Sequence, residues 1–338
     1  MNGKAAKLHQ EAIVIDATCP LARLQQYLDK WILGGATVMA PTVNVPDAAG
    51  LMYDTMRNLG DWLKTIRDNP QKFLHVTSVE HIYKAKEEKK LGLLFHFQNT
   101  LPIENNLNNI EIYHRLGVRM IQLCYNLKNL VGDGCAERTD SGLSEFGLKV
   151  IAELNRLGIV VDCSHTGYQT TMDAIKASTK PVIVSHGNCR AVCDSFRNMR
   201  DDQIKAIAAK GGVIGMNGYP AFVAKKPRPT VDDLIDHIDY IVRLVGVEHV
   251  SLGIDYFEGQ AGVADDKMAN AAYDQLVRAG IWNPRDYPPP PWHYPQGIEM
   301  PDKLPNLTEA LLRRGYSEQD VRAILGLNLI RVFKEVWT

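Results

Sequence analysis

The run VDCSH at residues 161–165 and the run VIVSHGN at residues 182–188 constrain the fold more than any other part of the chain. Each is a short apolar run that ends on a histidine, His165 in the first and His186 in the second. The segment GYQTTMDAIKAS between them has the pattern of one amphipathic helix. A strand–helix–strand unit with a histidine ending each strand is typical of a β/α barrel, whose active sites lie at the carboxyl ends of the strands. Two such imidazoles can share a metal ion, whereas two unrelated loop histidines are the alternative interpretation.

The same alternation of strand-like and helical runs extends along the chain. Helical runs separate most of the strands, and three of them, at 143–158, 200–211 and 230–246, end at a glycine, the usual C-terminal stop. Near-continuous apolar strands joined by helices imply parallel strands covered on both faces. We therefore predict a single (β/α)8 TIM barrel over residues 1–338, although the strand count alone leaves a doubly wound sheet open. The predicted strands are 12–18, 34–44, 91–99, 118–126, 158–165, 181–186, 211–217 and 249–256.

Two segments depart from simple alternation. A long polar stretch from about Asp47 to Lys90 carries apolar residues at helical spacing and is predicted to be helical. Residues 257–306 include DYPPPPWHYPQGIEMPDKLP, in which the prolines are too dense for a helix or a central strand. We predict a proline-rich loop insertion after the last strand, near the active-site rim. It either covers the site or acts as a surface brace or subunit contact.

The composition excludes several classes of partner. The formal net charge of −1 gives no electrostatic reason to expect binding to nucleic acid or to an anionic membrane. No apolar run approaches the ~18 residues of a membrane span, and the first residues lack the apolar core of a signal peptide. Six cysteines without a CxxC pair are expected to be reduced thiols. A cytoplasmic location is predicted.

Several blocks of the chain resemble one known family. They are GVRMIQLCYNLKN, GLSEFGLKVIAELNRLGIVVDCSH, PVIVSH, SFRNMRDDQIKAIAAKGGVIGMN, VSLGIDY and ILGLNLIRVF. In this order, over roughly residues 12–335, they resemble the membrane (renal) dipeptidase family, the M19 metallopeptidases of the amidohydrolase-like barrels. The resemblance implies a (β/α)8 barrel and, in typical members, two zinc ions, hydrolysis of dipeptides or related amides, and a homodimer.

The resemblance carries over unevenly to the metal ligands. The two histidines that hold the second metal in the family fall on His165 and His186. The His-x-Asp pair after strand one is replaced by Thr18 and Pro20, and the bridging glutamate by Gln98. Two neighbouring cations need anionic ligands to offset their repulsion, and a neutral glutamine bridges poorly. We expect one zinc ion per subunit, on His165, His186 and Gln98, with another divalent metal or no metal left open.

The resemblance extends better to the other catalytic positions than to the metal ligands. By the same resemblance, Asp255 falls on the acid/base aspartate after strand eight, and Arg197 on the arginine that binds the substrate carboxylate. The substrate-facing histidine after strand four is replaced by Tyr125, which could hydrogen-bond the developing oxyanion. Asn99 and Asn126 are expected to line the opposite wall of the pocket as substrate-binding residues.

Some of these residues have a second interpretation. His96 shares a strand face with Gln98 and could be a third metal ligand, or else a buried core histidine. Cys163 likewise shares a face with His165. Arg197 could form a salt bridge to an aspartate at 201 or 202 instead of binding a ligand.

Together these observations predict a dipeptidase-family metal-dependent hydrolase with a reduced, mononuclear metal site. Its substrate would be a dipeptide or a small amide that carries a free carboxylate. Two alternatives stay open. One is a non-hydrolytic ligand-binding protein that keeps the pocket, and the other is a metal-independent lyase or isomerase that uses Asp255 and Tyr125.

Overall fold

A computed structural model describes residues 3–44 and 51–337. Its strands are short, and every pairing between them is parallel. They are β1 Ile15–Cys19, β2 Val38–Pro41, β3 Phe73–His75, β4 Leu91–Leu93, β5 Phe95–Phe97, β6 Val118–Gln122, β7 Val160–Asp162, β8 Val182–Ile183, β9 Ile214–Met216 and β10 Val250–Leu252.

All strands except β3 form one ring. Their order is β1-β2-β4-β3 in one sheet, β5-β6-β7-β8 in a second and β10-β9 in a third. Parallel bridges join β2 to β5 through Thr42 and His96, and β8 to β9 through Val184 and Ile214. Between β10 and β1, the Asp255 amide donates to the carbonyl of residue 18 at 3.1 Å. Because β4 and β5 are two halves of one strand, and β3 pairs with β4 alone outside the ring, the ring has the eight strands predicted, and the (β/α)8 barrel is confirmed.

Helices surround this ring. Ser144 caps the start of the helix at Glu145–Leu157 by accepting from the amide of residue 147, and Gly158 ends it at a φ of 69°. The helices are α1 Gly3–Glu11, α2 Leu28–Leu33, α3 Met52–Asp68, α4 Val79–Glu87, α5 Asn108–Arg115, α6 Glu145–Leu157, α7 Tyr168–Ala177, α8 Asp201–Ala209, α9 Pro220–Val223, α10 Val231–Val245, α11 Asp266–Arg278, α12 Pro305–Arg313, α13 Glu318–Arg322 and α14 Asn328–Val336. In the part of the chain that the structure describes, none of them is long and apolar enough to cross a membrane.

Two predictions of secondary structure were wrong in part. The stretch predicted as one helix up to Lys90 is a helix, a strand and a helix (α3, β3 and α4), and its residues 47–50 lie outside the described residues. The insertion at 257–306 is not loop throughout, because it contains the 13-residue helix α11, which Asp265 caps. Its proline-rich half is irregular, as the proline density predicted.

The apolar core leaves one end of the barrel free for polar chemistry. Side chains at the start of the strands, such as Ile15, Val38 and Val160, form a cluster with Leu329 and Phe333 of α14. This cluster closes the amino end of the barrel. The polar side chains that follow the strands therefore collect at the carboxyl end.

Candidate active site

The predicted site residues meet at this carboxyl end. Gln98 follows β5, Tyr125 follows β6, His165 follows β7, His186 follows β8 and Asp255 follows β10. All of them except His186 line one cavity of about 220 Å³. The other residues that line it are Pro20, Arg23, Tyr219, Phe222, Phe257, Glu258, Ala272, Gln275, Leu276, Ile281, Trp282 and Tyr287.

His165 and His186 form a contacting pair. Their Nε2 atoms are 2.9 Å apart. The Nδ1 atom of His165 lies 2.7 Å from Oδ1 of Asn126, whose Nδ2 donates to the carbonyl of Ile281 at 3.1 Å. That carbonyl fixes the orientation of the amide, so His165 donates through Nδ1 and its Nε2 is unprotonated in the neutral ring. The lone pair of His165 therefore points at His186.

A buried polar network holds the other side of His186. Its Nδ1 atom lies 2.7 Å from Oγ of Ser185 and 3.2 Å from Oγ1 of Thr18. Ser185 in turn hydrogen-bonds Asp162, which is also 3.0 Å from Nε2 of His96. Thr18, which the resemblance places at a metal-ligand position, thus contacts a histidine instead. His96 is fully buried in this network, which favours its interpretation as a core histidine.

The environment keeps both imidazoles neutral. Burial lowers the pKa of His165 and of His186 well below the usual range, and the nearby positive charge of Arg197 lowers both further. For Asp162, burial alone would raise the pKa, but the hydrogen bonds from His96 and Ser185 outweigh it and hold the pKa below its usual range. A neutral imidazole is the form that binds a metal ion.

The donor set beside the two histidines is small. The outer nitrogens of His165 and His186 are held by oxygen partners while the inner nitrogens face each other, as in histidine pairs that share a metal. Within residues 3–44 and 51–337, no group of three or more His, Cys, Asp or Glu side chains could hold an ion. Of the predicted ligands, the neutral carbonyl of Gln98 remains as a third donor, and Thr18 and Pro20 supply no anionic donor for a second ion.

Asp255 lies in the cavity wall with a strongly raised pKa. It follows β10 with a φ of 61°, a left-handed conformation that is uncommon outside glycine. Burial raises its pKa to about 7, although the charge of Arg197 and the hydrogen bond from Asn217, at 3.2 Å, act in the opposite direction. A carboxyl group with this pKa can exchange a proton near neutral pH.

Tyr125 lies against His165. The two rings are stacked with their centroids 4.1 Å apart, and the phenol oxygen of Tyr125 accepts from Nε1 of Trp282 at 3.3 Å. Burial raises the pKa of Tyr125, so its hydroxyl stays protonated and can donate a hydrogen bond.

Arg197 lines a second cavity, of about 210 Å³, which adjoins the first because His165 lines both. It is 5% exposed, and one terminal nitrogen donates to the carbonyl of His186 at 3.2 Å. Its guanidinium also lies 5.4 Å from the ring centre of Phe222. In the described part of the chain Nε of Arg197 has no hydrogen-bond partner.

The predicted alternative, a salt bridge from Arg197 to an aspartate of α8, is not present in the structure. Asp201 accepts from the hydroxyl of Tyr240, and Asp202 from the hydroxyl of Tyr168. The guanidinium is therefore free to bind an anionic ligand.

The two asparagines predicted to line the opposite wall lie behind it. Asn126 is engaged with His165, and Asn99 accepts from Nδ2 of Asn44 at 2.8 Å and from the amide of Leu101 at 3.0 Å. Neither is among the residues that line the two cavities. The structure gives both a supporting position, and direct contact with a substrate stays a prediction.

Sequence reasoning missed two groups of site residues. Ser185 and Asp162 belong to the same apolar runs as the histidines, but they lie one and three residues before them, so strand alternation assigns them to the opposite face and gives no signal. Glu258, Trp282 and Tyr287 come from the insertion at 257–306, where no periodic pattern predicts which side chains turn towards the barrel.

Comparison with known proteins identifies the class. The model of the membrane dipeptidase family, peptidase family M19, matches residues 34–283 and 291–338. The chain belongs to this family.

Relatives and solved structures agree with this assignment. The chain is 32% identical to the dipeptidase tcpJ of Claviceps purpurea, over 84% of this chain and 60% of the relative. It is 30% identical to an uncharacterized dipeptidase of Schizosaccharomyces pombe, over 79% of this chain and 58% of the relative. The chain thus spans about three fifths of the length of these two proteins.

The structural neighbours cover the whole barrel. A crystal structure of an amidohydrolase from Pseudomonas aeruginosa superposes with a TM-score of 0.87 at 35% identity, over 98% of this chain and 99% of the other. A metallopeptidase from Rhodobacter sphaeroides, liganded with a phosphinate mimic of the dipeptide L-Ala-D-Ala, superposes with a TM-score of 0.80 at 20% identity, over 96% of this chain and 100% of the other. At that identity the second likeness concerns the fold alone.

Proposed function

We propose that this protein hydrolyses the amide bond of a dipeptide, or of another small amide with a free carboxylate, with the help of one metal ion. The observation that carries the proposal is the position of Asp255. Its carboxyl group, with a pKa of about 7, shares one cavity with His165, Tyr125 and Gln98. Membership of the dipeptidase family supports the reaction class.

Each residue of the site has a separate role in the proposed reaction. Asp255 takes the proton of the attacking water and passes it to the leaving nitrogen, first as base and then as acid. The hydroxyl of Tyr125 donates a hydrogen bond to the oxygen that becomes negative in the transition state. Arg197 binds the substrate carboxylate from the adjoining cavity. His165 borders both cavities, so a substrate that reaches from one to the other passes beside it.

The metal would be held by His165 and His186, with the side-chain carbonyl of Gln98 as a weaker third ligand. Zinc is the ion that the family resemblance favours, and another divalent ion would suit the same donors less well. When bound, such an ion polarises the scissile carbonyl and lowers the pKa of water.

A binding protein that keeps the pocket without hydrolysis is the second candidate. The observation that favours it is the small donor set, because two imidazoles alone hold a divalent ion weakly and the positive charge of Arg197 opposes the ion further. In that case Asp255 and Tyr125 would contact the ligand without turning it over.

Location and assembly are also proposals. A homodimer is supported by the family resemblance. A cytoplasmic location is consistent with the six free thiols of the described chain, five of which are buried.

The test combines metal analysis with an activity screen. Protein purified without chelators is expected to contain at most one equivalent of transition metal per subunit, and to cleave members of a panel of dipeptides and N-acyl amino acids. The variant Asp255→Asn should lose turnover, while Glu299→Gln, a carboxylate that pairs with Lys303 outside the cavity, should keep it. Absence of turnover on every substrate at full metal loading would favour the binding protein.

A further inference from the structure

We infer that a large cavity beside the candidate site binds a second ligand, a small organic molecule that carries a phosphate group. The inference goes beyond the proposed function, because this cavity is built from residues other than those assigned to hydrolysis. It rests on the size of the cavity, on the charge of its wall and on the apolar surface that the wall also contains.

The first observation is the cavity itself. Its volume is about 920 Å³, against about 220 Å³ for the cavity that Asp255 lines. Three segments build its wall, at residues 190–196, 220–228 and 285–293, and the last of them belongs to the insertion. Typical ligand pockets measure about 300–1,000 Å³, so this space suits a whole small molecule rather than a single ion.

The cavity is distinct from the candidate site. Arg190 and Phe196 line both this cavity and the one that Arg197 lines. Among the described residues of its wall, however, there is neither Arg197 nor His165 nor Asp255. A ligand in this cavity therefore contacts the segment that carries Arg197 without taking the place of the substrate.

The second observation is the charge of the wall. Five of the side chains that border the cavity are positively charged and two are negatively charged, although the whole chain has a formal net charge of −1. The positive side chains are Arg190, Lys225, Lys226, Arg228 and Arg285, and the negative ones are Asp194 and Asp286. Such a local excess of positive charge attracts an anion.

Two of these cations are free to bind a ligand. Both aspartates of the wall pair with its arginines, at 2.8 Å and 2.9 Å, and Lys226 pairs with Asp233 of α10 at 2.7 Å. Lys225 and Arg228 are exposed, and neither forms an ion pair or a hydrogen bond with another described residue. A phosphate monoester carries a charge of about −1.5 to −2 near neutral pH and three acceptor oxygens, so it can engage both cations at once.

The third observation is the apolar part of the wall. Phe196 and the prolines at 288, 289 and 291 border the cavity together with Trp292. The indole nitrogen of Trp292 donates to the carbonyl of Pro288 at 2.8 Å, which holds the proline segment in place. A wall of fixed rings loses little conformational entropy on binding and suits the flat face of a ring in the ligand. The ligand class is therefore a phosphate monoester of a ring compound.

Adenosine monophosphate, adenosine and inorganic phosphate test this inference without any turnover. The first probe carries both a ring system and a phosphate, and each of the others carries one of the two. Titration calorimetry at about pH 7.5, above the second pKa of phosphate, should show adenosine monophosphate binding at least about tenfold more tightly than either. Its affinity should fall as salt is added, because the free cations of the wall are exposed.

Variants of the two free cations should remove this preference. The double variant Lys225→Gln/Arg228→Gln should bind adenosine monophosphate at least about tenfold more weakly and adenosine as well as wild type does. Both side chains are exposed, so the fold should be unaffected. The matched control is Lys149→Gln/Lys176→Gln, which removes two exposed charges from α6 and α7 outside the cavity and should leave the affinity unaltered.

Arg197→Met distinguishes this cavity from the candidate site. Because Arg197 does not line the cavity, the affinity for adenosine monophosphate should stay at the wild-type value in this variant.

Equal affinity for adenosine monophosphate and adenosine would overturn the inference. Binding that is lost in Arg197→Met but kept in Lys225→Gln/Arg228→Gln would also overturn it, because the phosphate would then lie in the candidate site. Failure of the proposed hydrolysis would look different, as absence of turnover in a protein that still shows the preference for adenosine monophosphate.

Discussion

At the scale of single residues, the site depends on two different uses of burial. Burial among aromatic rings disfavours the charged form of Asp255 and raises its pKa into the neutral range. Burial of His165 and His186 beside Arg197 disfavours their protonation, so both imidazoles stay neutral. A proton acceptor that titrates near neutrality thus lies in the same barrel end as two neutral imidazoles.

The rate of hydrolysis should follow the ionisation of Asp255. Because the base must be deprotonated, kcat/KM is expected to rise with pH through about 7 and then level. Asp255→Asn should lower kcat by about 10²–10⁴ and remove this rise, with ligand affinity little changed. The measurement is a pH–rate profile for wild type, Asp255→Asn and Glu299→Gln. An Asp255→Asn variant with the wild-type rate would contradict the assigned role.

The same residue should make stability depend on pH. The pKa of Asp255 is about 7 in the folded protein, against 3.8 as its ordinary value, so the folded state binds this proton more tightly. Stability therefore falls as the pH rises from about 4 to about 7 and this loss is complete above that window. Asp255→Asn removes the loss, and its thermal midpoint should exceed that of wild type at pH 8 by more than at pH 4. A difference independent of pH would refute the assignment of the shift.

Thr18 should matter for metal affinity although it is no ligand. Its hydroxyl contacts Nδ1 of His186, and loss of such a supporting contact typically weakens metal binding by about 10–100-fold. Thr18→Val is expected to show this loss in a zinc titration. Thr308→Val is the control, since Thr308 also hydrogen-bonds a buried histidine, His9, at 2.7 Å, but far from the site in the α1–α12 packing. Equal zinc affinity of both variants would argue against the support role.

At the scale of elements, the sequence predicted the repeating strand–helix units and missed the two elements that interrupt the repeat. The eight predicted apolar runs form the eight strands of the barrel. A buried parallel strand is apolar on both faces, so it gives a continuous apolar run in the sequence. The three-residue strand β3 was missed, since three residues between two helices are too few to show a period. The helix α11 was not predicted, because the dense prolines that follow it are typical of a loop and the whole insertion was predicted to be one.

The candidate site also contains residues that the sequence predicts and residues that it does not. The positions of His165, His186, Asp255, Gln98 and Tyr125 could be predicted because each lies at the end of a predicted strand, and the ends of parallel strands meet at one rim. The inward side chains of the insertion could not be placed, because its path over the barrel is set by tertiary packing among its own aromatic rings rather than by local pattern.

Gly60 offers a test of whether α3 is an open surface helix, independent of the candidate site. Gly60 lies inside α3, and a Cβ atom at this position would meet nothing within 4 Å. Gly60→Ala should therefore raise the free energy of unfolding by about 0.5–1 kcal/mol, because alanine loses less backbone freedom on folding. Chemical denaturation measures the change. A destabilised variant would mean that the residue is not in an open helical position.

At the scale of the whole molecule, the closure of the barrel and the His165–His186 pair share one contact point. Cβ atoms built at Gly215 of β9 and at Gly253 after β10 would lie 1.9 Å and 1.8 Å from the carbonyl oxygen of Ser185. The absence of side chains at these two positions lets three neighbouring segments close around that carbonyl. The Ser185 hydroxyl in turn bonds Nδ1 of His186, so the geometry of the site depends on the closure of the barrel.

Gly253→Ala should therefore damage stability and metal binding together. A methyl group 1.8 Å from a backbone oxygen forces the segment that carries Ser185 to move, and overpacking of this kind costs about 1–3 kcal/mol or more. Because His186 directly follows Ser185, the same displacement should weaken zinc binding in the variant that still folds. Chemical denaturation in the presence of a chelator gives the loss of stability without the metal, and a zinc titration gives the second effect. Gly60→Ala is the matched control with the opposite sign of stability change and unaltered zinc affinity. If Gly253→Ala keeps wild-type stability and wild-type zinc affinity, then the closure of the barrel does not set the position of His186.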